Sequence, residues 1–130
     1  MNGDVLTDMN FATFLENHIM SKRMFTIASH KRIHTNDYGV LKEKDNELVG
    51  FEEKPQTQFE VSMGIYAVSK HVLDYIPDNQ FFGFDMLMLK LLEENITTGV
   101  EEYTGYWMDI GRPDDYQQAV EDIENNIYVY

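Results

Sequence analysis

The sequence predicts an α/β protein with a mixed, mainly parallel sheet flanked by helices. Three observations carry that expectation. Apolar residues recur at helical spacing near both ends, at Phe11, Phe14, Leu15, His18 and Ile19 and again at Tyr116, Ala119, Val120 and Ile123. Apolar runs of strand length, Met24–Ala28 and Val61–Val68, lie between them. Helix-like and strand-like segments alternate along the chain, the order expected of helices packed on a sheet.

Taken in order, Asn10 is a plausible N-cap for the first helix, which should end near Lys22-Arg23. Met24–Ala28 reads as a buried strand. Val40–Glu43 and Leu48–Glu52 flank a turn-like Lys44-Asp45-Asn46-Glu47 and read as a hairpin. Val61–Val68 is a further strand, and Gly64 inside it suggests a bulge or a close approach to the backbone. A short helix should cover His71–Ile76 and stop at Pro77. Asp85 can cap a helix to about Glu94, so apolar all round that burial on more than one side is expected. A strand then leads through Val100 and Tyr103 towards Trp107–Ile110. The last helix begins at Pro113, a favoured first helical position, with Asp114 and Asp115 suited to the positive end of the helix dipole.

At 130 residues, with 43% hydrophobic and 13% aromatic residues, the chain is one domain at most and too apolar for an acidic disordered segment. Its net charge of −13 argues against nucleic acid and against an anionic membrane surface, but not against metal ions. Without cysteine there are no disulfides, thiolate zinc sites or Cys nucleophiles. Met1-Asn2-Gly3-Asp4 shows no signal peptide, and the most apolar stretch, Phe84–Leu92, is too short to span a bilayer. The default expectation is a cytoplasmic protein. G-x-S-x-G, P-loop and G-x-G-x-x-G motifs are missing, which removes the main supports for serine hydrolase, classical NTPase and Rossmann dehydrogenase readings.

Most acids, including Glu93-Glu94, Glu101-Glu102 and Asp114-Asp115, read as solvated surface. Asp4 and Asp109 differ in setting. Asp4 follows Gly3 in a pair typical of a strand's carboxyl end, where open α/β sheets bind ligands. Asp109 sits within Tyr106-Trp107-Met108-Asp109-Ile110-Gly111, where a carboxylate is costly to bury unless it is paired or ligates a metal. Spacing leaves open a shared metal site or a structural hydrogen bond or cap, and favours the latter. Lys54 could neutralise a phosphate and Glu53 could accept from hydroxyls, but an exposed strand end with a local ion pair is the simpler reading. His30 and His34 have helical metal-ligand spacing, yet they flank Lys31-Arg32 where a strand runs into a loop, so they need not share a face. His18 reads as a packed helix histidine.

The ordered series Asn2-Gly3-Asp4, Asp37-Tyr38-Gly39-Val40, Gly50–Pro55, Gly64-Ile65-Tyr66 and Tyr106–Pro113 resembles the sugar nucleotidyltransferase family, from Met1 to about Ile123. That family includes mannose-1-phosphate guanylyltransferases and glucose-1-phosphate thymidylyl- and uridylyltransferases. The resemblance implies a Rossmann-like domain that joins a nucleoside triphosphate to a sugar 1-phosphate, with Mg²⁺, releasing pyrophosphate. It implies that Asp4 and Asp109 hold Mg²⁺ and that Lys54 contacts the sugar phosphate. Tyr38, Gly39, Glu53, Ser62, Gly64 and Tyr66 would line the sugar side. Relatives often carry an Asn-Ala-Gly-like sequence where this chain has Ser62-Met63-Gly64, so the sugar is not fixed by the resemblance. The glycine-rich basic loop that cradles the triphosphate has no counterpart here. The expectation is therefore a partial domain over residues 1–130, the sugar-phosphate half without the nucleotide half, inactive alone. The competing expectation is a sugar-phosphate-binding or interaction module, in which exposed sheet edges favour a homo-oligomer.

Overall fold

A computed structural model describes residues 1–127. The chain forms two units: residues 1–30 together with the chain from Ser62 onward, and Lys31–Val61. The elements in order are β1 (Val5–Thr7), α1 (Phe11–Ser21), β2 (Phe25–Thr35), β3 (Val40–Lys44), β4 (Glu47–Glu52), β5 (Gln56–Val68), a 3₁₀ turn (Lys70–Tyr75), α2 (Phe84–Glu93), β6 (Thr98–Glu102), β7 (Trp107–Asp109) and α3 (Pro113–Glu124).

The expected α/β class holds, with mixed sheets and three α-helices. β5, β2 and β6 form one sheet in that order, and β2 runs parallel to β6 with Phe25 opposite Thr98 and Ser29 opposite Glu102. β1 and β7 form an antiparallel pair, as do β3 and β4. The first unit contains two apolar clusters. One gathers Met9, Phe14, Ala28, Met63, Ile65 and Ala67; the other gathers Phe25, Val72, Leu87 and Leu91. In the second unit no residue from 31 to 61 is buried.

The capping expectation at Asn10 is met: its side chain accepts from the Thr13 amide at 3.0 Å. His18 is buried, with its ring nitrogens 2.8 Å from Thr26 Oγ1 and 3.3 Å from Ser69 Oγ. The rest of the α1 stripe is not packed away: Phe11, Leu15 and Ile19 are exposed, and the buried line is Phe14 and His18 alone. Two expectations for α2 are corrected. Gly83 occupies its N-cap and Asp85 lies inside the first turn, where its charge suits the dipole but caps nothing. The helix buries one side only, Leu87 and Leu91, and Leu89 and Leu92 are 67% and 62% exposed. Continuous apolarity does not report which faces have partners, and this helix packs on a single layer. The hairpin turn is Asp45-Asn46, both at positive φ, which gives the twist a two-residue hairpin loop needs.

Candidate functional site

Asp4 immediately precedes β1 and Asp109 closes β7. Their strands pair with Val5 opposite Asp109, and the Ile110 amide donates to the Asp4 carbonyl at 2.8 Å. This ladder sets the two acids diagonally across one strand pair. Both carboxylates turn to Gly111: a Cβ there would lie 3.1 Å from Asp109 Oδ1 and 3.2 Å from Asp4 Oδ2. The Gly111 amide donates to Asp109 Oδ1 at 2.9 Å, a turn in which an aspartate caps the backbone two residues on. Asp109 is half-buried and Asp4 exposed.

Among the described residues neither carboxylate has a cationic side chain as partner. Two carboxylates facing one space repel each other, and a cation between them offsets that repulsion. No third His, Asp or Glu completes a metal-holding cluster among the described residues. That suits Mg²⁺, which uses one or two carboxylates and keeps its other positions for water and phosphate oxygens. The donor set and the space left open by glycine therefore fit a hard divalent cation.

Three further predicted residues belong to the same unit. Gly64 has φ +73, and a Cβ on it would come 2.7 Å from Asn2 Nδ2. The close approach anticipated at this glycine is thus made by the chain's own Asn2, whose amide donates to the Gly64 carbonyl at 2.8 Å. Ser62 Oγ accepts from the Gly64 amide at 3.2 Å and lies 3.4 Å from the Tyr66 hydroxyl. The Tyr66 ring is stacked on Phe84, with centroids 4.4 Å apart, and tilted against Phe25. Packing therefore fixes the ring. The Trp107 indole donates to the Met63 carbonyl at 3.0 Å. The segment 62–66 is in this way tied through Asn2 to the Asp4-bearing chain leading into β1, and through Trp107 to β7, which carries Asp109.

The remaining predicted residues, Tyr38, Gly39, Glu53 and Lys54, belong to the second unit and flank the end of the hairpin where Val40 pairs with Glu52. A Cβ on Gly39 would lie 2.5 Å from the Phe51 ring and 3.1 Å from Glu53 Oε2, so glycine is what admits both. The Asn36 amide donates to the Pro55 carbonyl at 3.0 Å, and the Asn36 side chain accepts from the Tyr38 amide at 3.0 Å. The local ion pair expected here exists, but it joins Glu52 to Lys42. Among the described residues Lys54 has no ion-pair partner, and it stands at φ 45.

Sequence reasoning singled out neither Asn2, Gly111 nor Trp107 as an individual contributor. The Asp-x-Gly spacing of residues 109–111 is a readable signal for the Gly111 turn. The Asn2 and Trp107 contacts span 62 and 44 positions, as the pairs Asn2–Gly64 and Met63–Trp107 show, and no local pattern reveals them.

Known proteins resemble this chain over nearly its whole length. The family described as nucleotidyl transferase matches residues 1–126. The UTP–glucose-1-phosphate uridylyltransferase of Synechocystis is 32% identical over 127 residues, covering 91% of this chain and 32% of the relative. The D-glycero-alpha-D-manno-heptose 1-phosphate guanylyltransferase of Aneurinibacillus thermoaerophilus is 26% identical over 130 residues, covering 98% of this chain and 56% of the relative. Among solved structures, HddC from Yersinia pseudotuberculosis has the same fold, with a TM-score of 0.63 at 24% identity over 95% of this chain and 53% of that one. The chain thus spans between 32% and 56% of the length of these relatives. Among the described residues no helix is long and apolar enough to cross a membrane.

Proposed function

The chain belongs to the nucleotidyl transferase family, and from that premise we propose that it carries the metal and sugar-phosphate side of a sugar-1-phosphate nucleotidyltransferase. In that reaction a sugar 1-phosphate oxygen attacks the α-phosphorus of a nucleoside triphosphate. The new phosphorus–oxygen bond gives the nucleotide-sugar, and pyrophosphate leaves with the electrons of the broken bond. Little covalent work falls to the protein, so positioning and charge neutralisation dominate.

The observation that carries this reading is the convergence of Asp4 and Asp109 on the open side of Gly111. These two residues would hold Mg²⁺, which when bound neutralises charge at the α-phosphate. Lys54 supplies an ammonium for the sugar phosphate. The strain at its backbone supports that role. A non-glycine residue at φ 45 costs of order 1–3 kcal/mol and persists where something else requires it. Glu53 accepts from sugar hydroxyls, and Tyr38 and the Gly39 backbone frame them. Ser62, Gly64 and the Tyr66 hydroxyl offer further polar contacts. We place the reaction in the cytoplasm, where nucleoside triphosphates are made, and expect no turnover from these 130 residues alone, which contain no glycine-rich basic loop.

Calorimetric titration of the chain with mannose 1-phosphate and glucose 1-phosphate in the presence of Mg²⁺ tests the reading. Wild type should bind at least one of them, and Lys54→Ala should bind it at least tenfold more weakly. Failure of wild type to bind either sugar phosphate overturns the reading. Pyrophosphate release by the chain alone would overturn only its inactivity.

A second reading has its own support. Phe11, Leu15, Ile19 and Met20 are exposed on α1, and an open apolar cavity of about 390 Å³ is lined by Phe11, Leu15, Ile65 and Val68. Apolar surface of this kind favours an interaction module that associates with itself or a partner. Sedimentation decides it: a monomer at every concentration that binds no sugar phosphate would count against both readings.

A further inference from the structure

We propose that Gly111 is a positioning residue for the divalent cation: its missing side chain leaves room beside both carboxylates for the hydrated ion, and its amide holds the Asp109 carboxylate in place. The inference rests on the reading above that these two acids ligate a metal, and it adds why the residue two positions after Asp109 must lack a Cβ.

Two distances carry it. The point where a methyl group would stand is 3.1 Å from one oxygen of Asp109 and 3.2 Å from one oxygen of Asp4, and no other heavy atom outside the neighbouring residues comes within 4 Å. A carbon there would press on one oxygen of each carboxylate. Mg²⁺ requires near-octahedral coordination at ~2.0–2.1 Å and keeps several waters, so a methyl group tight against both of its anionic ligands takes room that those waters need. Gly111 is exposed and its backbone lies outside the left-handed region, so backbone freedom is not what calls for glycine. The amide has a separate task. Its 2.9 Å bond to Asp109 Oδ1 fixes the carboxylate without using a side chain. A charged donor in its place would compete with the cation for the same oxygen.

Mn²⁺ alone, titrated into the full chain and followed by the electron paramagnetic resonance of the free ion, separates this inference from the reading it rests on. Wild type should bind one ion and Asp109→Asn should not. Gly111→Ala should bind at least tenfold more weakly while its circular dichroism matches wild type. Should that variant fold poorly, wild type itself decides. The Gly111 amide resonance should vanish at substoichiometric Mn²⁺ and persist in Asp109→Asn. Wild-type affinity in Gly111→Ala, or a Gly111 resonance that stays sharp while Mn²⁺ binds in an Asp109-dependent way, overturns the role of Gly111 and leaves the metal reading standing. Absence of binding by wild type, or unchanged binding by Asp109→Asn, overturns both.

Discussion

The two units hold their candidate residues by different physical means. In the first, Asp4 and Asp109 are set by a paired ladder, and the neighbouring segment 62–66 is bonded to Asn2 and Trp107 and backed by buried side chains. In the second, Gly39, Glu53 and Lys54 are set by a hairpin with no buried residue, through a two-residue turn, a glycine contact and one strained lysine. Burial gives the first unit its precision through many weak contacts, whereas the second depends on a few backbone conformations. Mutations should therefore hurt them differently.

The largest expected difference is in stability. Phe25 is 2% exposed and packs with Val72, Leu87 and Leu91, with Tyr66 and Phe84 against its ring. Phe25→Ala should cost ~3–5 kcal/mol, because a cavity is added to the lost transfer energy. Leu48 lies on β4 and is 64% exposed. Leu48→Ala should stay within ~0.5 kcal/mol of wild type. Urea denaturation of both variants measures the contrast, and equal losses would erase it.

A middle-sized effect should appear at Lys54, with opposite signs for stability and binding. Glycine at φ 45 relieves the left-handed strain but adds freedom to the unfolded chain. Lys54→Gly should thus be as stable as wild type or up to ~1 kcal/mol more so, while sugar-phosphate binding falls at least tenfold. A clear loss of stability would mean that the lysine side chain supports the hairpin and its backbone strain serves packing rather than binding.

The same contrast explains what could be read from the sequence. Asn10 as a cap, Pro113 as a helix start and Asp45-Asn46 as a turn are local devices, fixed by residues within a few positions, and all three stand where the pattern put them. Which apolar residues are covered is a tertiary matter. Leu15, Leu89 and Leu92 have the right spacing or composition for a core and are exposed. Periodicity reports where a side chain points, and only packing decides whether anything meets it. The candidate site divides along the same line. Its acids were visible through their motifs, but the aiming of both at Gly111 follows from the β1–β7 register, a contact between strands roughly one hundred positions apart.

The smallest expected effect concerns alkaline pH and belongs to the first unit. Partial burial, then the hydrogen bond to Asp8 and the charge of that carboxylate, push the Tyr103 phenol from 10.0 up to about 12. A folded-state value above the unfolded one means that folding favours the neutral phenol. The resulting stabilisation is complete below about pH 10. It is lost as pH rises through the folded value of about 12. Asp8→Asn removes the charge but not the burial, so the phenol should titrate lower than in wild type and still above its unfolded value. Phenolate absorbance differenced between the two proteins reads the titration. Trp107, the chain's one tryptophan and packed against the cluster that includes Phe14 and Met63, reports any loosening of this unit by its fluorescence. Because the shift arises from burial first, identical titrations in both proteins would show that packing alone holds Tyr103 neutral and that Asp8 contributes nothing, which would extend the rule for this unit from its apolar core to its polar rim.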